Sequence, residues 1–436
     1  MLSDILWIII LFTFSFLGLK RPYIAYCCVI FVDILKPQNL SFSILANKPL
    51  SLIVTIVFFL SLMMNHKKCS FPNYKTISLL ILAFMVWITI TTFYAEFQFL
   101  AWYKYDYSIK TIFFAIFAPF VINSKVKFQL FLMTIVTAAS YYFIIGGMTT
   151  VFEPTFYGEA LIRTNSGDTL MTESSTLSMT AVMLIPILYY LYKHSIFVEK
   201  NKLFKPTLML ILFASLMTIV GTHARTGIIG LAILFILVAL TTKYKVRIMV
   251  LCAGIILMVQ IFATDAWLER IGTITTSKQE SSAYGRIVVW KWTIDYVQYR
   301  PILGGGFMSY KANAGVLHLY GKDGVSVDYR EQSGKAFHNI YFEVLGEHGY
   351  PGLVIFSLII FLSLKLNRKI SKTSNEPWIR DAAIANNICL LIYCGCGMFI
   401  GIAFSPWLYL FSGLAVSLDN CQRPKTKTSP SKKSIK

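Results

Sequence analysis

Apolar runs repeat from one end of this sequence to the other, and they limit what the chain can become. Thirteen are recognisable: 5–19, 23–35, 50–64, 76–92, 109–121, 130–145, 177–191, 207–220, 228–241, 248–263, 353–366, 383–399 and 402–418. About 20 apolar residues cross a bilayer as a helix, the shape that satisfies every backbone amide where lipid offers no partner. Several runs are shorter, so they extend into flanking aromatics or re-enter without crossing. The pattern predicts an all-α polytopic integral membrane protein with about 12–14 transmembrane helices, thirteen being the best count. Charged residues are 14% of the chain, against about a quarter in soluble proteins, which agrees. About ten of the runs fall in residues 1–264 and the last in 339–418, with one large polar loop, 265–338, between them.

The net charge of +19 invites a nucleic-acid reading, but the placement of the charge argues against it. Lys and Arg cluster in alternate short loops: Lys20 and Arg21, Lys67 and Lys68, Lys125 and Lys127, Lys193 to Lys205, Lys243 to Arg247, and Lys365 to Lys372. That alternation is the positive-inside pattern. It puts the basic loops and the C-terminus of this inner-membrane protein in the cytoplasm and the remaining loops, including 265–338, on the outside. Thirteen spans would place the N-terminus outside. The start, Met-Leu-Ser-Asp, lacks a basic region before its apolar run and reads as a first span, not a signal peptide. The basic stretch 419–436 reads as a disordered tail able to touch anionic lipid. All eight cysteines fall in spans or on the cytoplasmic side, so no structural disulfide is expected. Cys394 and Cys396 have the wrong spacing for a zinc or redox pair.

Three outside segments stand out. Residues 97–108 are rich in aromatics (Trp102, Tyr103, Tyr105, Tyr107) and suit the headgroup belt. Residues 149–175 carry Glu153, Glu159, Arg163, Asp168 and Glu173 among small and turn-forming residues. In the large loop, 282–300 has Ile287, Trp290, Ile294 and Val297 at helical spacing, which predicts an amphipathic helix at the membrane surface. Arg300-Pro301 ends it, and Gly304, Gly305 and Gly306 make a sharp turn. The glycine run is not a phosphate-binding P-loop, because the Gly-Lys-Ser/Thr ending is missing. No internal repeat suggests an inverted-repeat transporter.

Polar residues at membrane depth are costly and therefore informative. Arg225, in Thr222-His223-Ala224-Arg225-Thr226-Gly227, joins two apolar runs so closely that it lies at the outer surface. It is either a snorkelling helix anchor or an anion site whose guanidinium fork matches phosphate oxygens. Arg286 follows Gly285 near the start of the amphipathic segment; it is either a solvated loop residue or, with a helix N-terminus, a phosphate ligand. Arg163 is an outside cation with acids nearby that are its alternative partners. His338, where the chain re-enters the membrane, is either a hydrogen-bonded interface residue or a general base. His318 and His348 are weaker candidates, because neither sits in a polar cluster at a span end. No third ligand stands at helical spacing from His338 and His348, so no metal is expected. Asp33 is the main ionisable residue inside an expected span.

Three strings then come in order: Gly285-Arg286-x-x-x-Trp290, Arg300-Pro301-x-x-Gly304-Gly305-Gly306-Phe307, and His338-Asn339-x-Tyr341-x-x-x-Leu345-Gly346-Glu347-x-Gly349-x-x-Gly352. Together they resemble the O-antigen ligase/polymerase superfamily. The turn 222–227 resembles that family's Ser-Arg-Gly-type motif, with Thr226 where a small residue is usual. The opening, Arg21-Pro22 to Lys36-Pro37, is similar to a subgroup of O-glycosylation ligases associated with exosortase A. The resemblance spans about residues 20–417. It implies a periplasm-facing, cofactor-free glycan transferase, using a polyprenyl-diphosphate-linked glycan and no metal. The acceptor hydroxyl would belong to lipid A-core, to a protein, or to a growing polysaccharide. By the same resemblance Arg225 and Arg286, with Arg163 as a third cation by position, bind the diphosphate. His338 deprotonates the acceptor, and Asn339, Tyr341, Trp290 and Gly305 support the site. A transporter of lipid-linked glycan is the alternative from a different class.

Overall fold

The computed structural model describes residues 2–41, 43–46, 48–152, 161, 171–241, 280–320 and 334–422. Arg163, the expected span 248–263 and most of the basic tail lie outside the described residues. The longer helices are α1 (Leu2–Lys20), α2 (Pro22–Leu35), α3 (Leu50–Met64), α4 (Thr76–Phe93), α5 (Gln98–Ala115), α6 (Lys125–Phe152) and α7 (Ser174–His194). They continue with α8 (Phe204–Gly221), α9 (Arg225–Thr241), α10 (Glu280–Tyr299), α11 (Ile340–Thr373), α12 (Pro377–Cys396) and α13 (Pro406–Gln422). No strand occurs among the described residues.

Six of these helices, α4, α6, α7, α8, α11 and α12, are long and apolar enough to cross a membrane. The chain is an all-helical polytopic membrane protein. Not every apolar run is a lipid-facing span, however. Helix α13 is buried from Pro406 to Asp419, enclosed by α5, α11 and α12. Helix α2, 14 residues long, is buried along most of its length against α1, α3 and α6. Helices α6 and α8 approach closely, because a Cβ at Gly147 would stand 2.9 Å from the Ala214 carbonyl oxygen. Small residues at such crossings let backbones meet where lipid gives little drive for association.

Helix α10 forms as expected, but its packed stripe is shifted from the expected one. Val288, Val289, Trp292 and Val297 are buried, whereas Ile287 and Ile294 are exposed. The shift follows from its small core of Leu317 and Phe337, which takes the face carrying 288, 289 and 292. The aromatic stretch 98–108 is also helical, forming the first turns of α5.

Helix α11 breaks at Gly349, whose φ of 67° and ψ of −171° no helix contains. The break accepts the glycine turn. Gly305 and Gly306 donate their N–H groups to the carbonyls of Gly346 (2.9 Å) and Glu347 (2.8 Å), and Tyr350 donates to Pro301 (2.9 Å). A Cβ at Gly304 would come within 2.7 Å of the Gly349 nitrogen, and one at Gly349 would strike the Ile302 carbonyl. The two glycine motifs, some forty residues apart in sequence, are therefore one backbone-to-backbone joint between α10 and α11.

Candidate functional site

Three elements bring the expected site residues towards one another. Arg225 opens α9 after a tight turn in which His223 takes a left-handed φ of 51°. The turn is fixed by Thr222 Oγ1 donating to the Ile219 carbonyl (2.9 Å) and Thr226 Oγ1 donating to that of Ser175 (3.1 Å). A cation at a helix N-terminus opposes the helix dipole, so Arg225 is badly placed for stability and well placed for an anion. Arg286 lies in the second turn of α10, half-buried. Burial, and then the charge of Arg225, hold the Arg286 pKa below its ordinary value, while Glu173 works the other way.

His338 precedes α11 in a left-handed conformation, φ 47°, that costs a non-glycine residue on the order of 1 kcal/mol or more. Its pKa is lowered from 6.5, first by burial and then by Arg286; Lys335 adds to this, and Glu173 and Glu343 oppose it. The imidazole is thus kept neutral and able to take a proton. The charge of Arg225 thus reaches Arg286, that of Arg286 reaches His338, and Glu173 faces both Arg286 and His338. Glu173 is committed to capping α7, where it accepts from the Thr176 N–H at 3.0 Å. Two guanidiniums against one capping carboxylate leave a net positive site.

The supporting residues have identifiable jobs. Asn339 caps α11, its Oδ1 accepting from the N–H of Tyr341 (2.9 Å) and its Nδ2 donating to the Met398 carbonyl (3.2 Å). Trp290 donates to the Phe337 carbonyl (2.9 Å) and stacks on Phe342 with ring centroids 5.3 Å apart. Gly305 leaves room for the Tyr296 hydroxyl, which a Cβ would strike, and Tyr341 packs against the main core. His318, on a short 317–320 turn, is not brought to this group by any contact described.

A layer of charge beside the site was not expected from the sequence. Lys104 of α5 places Nζ 2.8 Å from Glu343 Oε1 and 2.8 and 2.9 Å from the two oxygens of Glu347. The Met308 N–H donates to Glu347 (2.9 Å) and the Ala403 N–H to Glu343 (3.0 Å). Lys104 Nζ also lies 5.4 Å and 5.0 Å from the ring centroids of Phe307 and Phe404. His348, expected to lie apart from polar groups, is fully buried between Phe307 and Phe404 with Nδ1 2.7 Å from Thr91 Oγ1. Lys104, Glu343, Glu347 and His348 thus add ionisable groups to the interior beyond Asp33. Lys104 was hidden by its aromatic neighbours, and the one signal that could have pointed to it, the i, i+4 pair Glu343 and Glu347, was not used. Asp33 lines a narrow pocket with Lys36, Tyr107 and Trp407. Among the described residues no cluster of His, Cys, Asp and Glu suits a metal ion.

Fold and site together define a polytopic membrane protein with a cation-lined site at helix ends. Residues 210–357, which contain Arg225, Arg286, the glycine turn and His338, match the model of the O-Antigen ligase family. Over those residues the chain is similar to O-antigen ligases, which supports a membrane glycan ligase or polymerase type of function. Residues 2–196 match a family of unknown function, DUF5935. No curated protein matches the chain.

Proposed function

We propose that the protein is a metal-independent glycan transferase that moves an oligo- or polysaccharide from a polyprenyl-diphosphate donor to an acceptor hydroxyl at the periplasmic face. The convergence of Arg225, Arg286 and His338 from three separate elements within the ligase-matched region carries this proposal. The two guanidiniums bind the diphosphate and stabilise the charge that grows on it. His338 removes the acceptor hydroxyl proton as the oxygen attacks the anomeric carbon. The bond from that carbon to the diphosphate oxygen breaks, polyprenyl diphosphate leaves with the electron pair, and the anomeric centre inverts. Neutral His338 beside Arg286 suits this order, because the base starts unprotonated near a bound anion. Sidedness rests on the alternation of basic loops in the sequence. Lipid A-core, a protein hydroxyl and a growing polysaccharide all remain chemically competent acceptors, and the exosortase-associated resemblance favours a ligase over a polymerase.

The test is transfer in proteoliposomes loaded with lipid-diphosphate-linked glycan. His338→Ala and Arg225→Ala are expected to abolish product while the protein stays inserted and folded. Normal product from His338→Ala would overturn the mechanism. A lipid-linked glycan transporter is the second reading, because the buried Lys104 cluster and the break in α11 are features that carriers also use. Movement of the donor between leaflets without any transfer would favour it.

A further inference from the structure

Lys104 belongs to the region of unknown function, 2–196, whereas Glu343 and Glu347 belong to the ligase-matched region, 210–357. One half-buried cation therefore bridges the two. Its partners fix the segments on either side of His338. Glu343 holds the Ala403 N–H, and the same 397–403 segment takes the Ile340 N–H on the Gly397 carbonyl (2.8 Å) and the Asn339 side chain on Met398. Glu343 also donates its own N–H to the Asn339 carbonyl (2.8 Å). Glu347 holds the Met308 N–H and so ties in the glycine turn of α10. The turn bearing His338 is suspended between two segments that meet at these carboxylates.

The charge count sharpens the point. Two carboxylates share one ammonium, and Glu347 is fully buried while the Glu343 side chain is 7% exposed. Removing one partner of a buried ion pair leaves an uncompensated charge and is costly. Without Lys104, Glu343 would either repel Glu347 and let the segments part or present its full charge to His338.

We propose that Lys104 is a positioning residue for His338, supplied by the region of unknown function to hold the imidazole and balance the acidic pair beside it. The role of His338 as base rests on the transferase reading; the positioning does not. Among the described residues, the charged groups facing His338 are Arg286 from α10, Glu173 ahead of α7, Lys335 from its own loop, and Glu343 from α11.

The experiment is a histidine titration by NMR on the full chain in lipid nanodiscs with 13C-labelled imidazole, the His338 signal being assigned by its loss in His338→Gln. In Lys104→Met the His338 midpoint is expected to move to higher pH, because Glu343 loses its counter-charge. In Glu343→Gln it is expected to move to lower pH, and Lys104→Arg is expected to restore the wild-type midpoint. A parallel transfer assay should show Lys104→Met losing turnover on the order of 100-fold, with donor KM little changed, as misplacement of a reacting group does. If Lys104→Met does not fold, Glu343→Gln and Lys104→Arg carry the test. An unchanged midpoint in Lys104→Met, or in Glu343→Gln where Lys104→Met does not fold, would overturn the proposal. Shifted midpoints with no transfer by the wild type would sink the transferase reading and leave the positioning intact.

Discussion

His338 sits where its chemistry would be useful and its backbone is uncomfortable. Burial and Arg286 both disfavour the imidazolium, so its pKa lies below 6.5. A general base works only unprotonated. Transfer is therefore expected to stay flat from neutral pH down past 6.5 and to fall only at lower pH, where His338 takes up its proton. Arg286→Gln removes a cation from beside the ring and should bring that fall to higher pH, read from a pH–rate profile. Stability follows the same sign: below about 6.5 the unfolded chain binds a proton that the folded chain resists, so stability declines as the pH drops. Arg286→Lys keeps the charge and loses the planar fork. At about 1.5 kcal/mol for a lost charge-assisted hydrogen bond, it should raise donor KM roughly tenfold. Arg225, Arg286 and His338 could be picked out of the sequence because each stood in a recognisable string. Glu173, which faces two of them, could not, since one acid in a polar segment with several others carries no signal.

At the scale of elements, the apolar runs located the helices well and misjudged their ends. Helix α5 begins about three turns before its apolar run because Trp102, Tyr103, Tyr105 and Tyr107 are helical residues as well as interfacial ones. Those turns carry Lys104, and so the buried cluster was missed. The amphipathic α10 was predicted, yet its packed face was not, since periodicity finds a stripe without saying which neighbour it meets. The joint at Gly349 was legible only in part: the glycines were visible, and their mutual contact was not. Gly349→Ala would put a side chain against the Ile302 carbonyl at a positive φ. A cost of about 1–3 kcal/mol from backbone strain is expected, read as a lower melting temperature in detergent. An unchanged melting temperature would show that the joint yields easily.

For the whole molecule, the two matched regions are not separable modules. Helices α6 and α7 from the first pack on α8, α9 and α12, and α4 packs on α11. Cutting the exposed link near Asn201 and coexpressing the halves should yield a complex that copurifies, while residues 202–436 alone should show no transfer. Activity from that half alone would mean that Lys104 and Glu173 are dispensable. Polytopic helical architecture was readable because backbone physics in lipid allows little else. Which helices face lipid was not, because α2 and α13 look lipid-facing by composition while protein surrounds them.

The joint of Gly304–Gly306 on Gly349 bears on how the site can deform. It welds the element bearing Arg286 to the element bearing His338, so base and one cation travel as a single block. Arg225 opens a different helix, α9, seated on α7 and α12. Of the three proposed site residues Arg225 alone stands outside that weld, the jaw to a welded anvil.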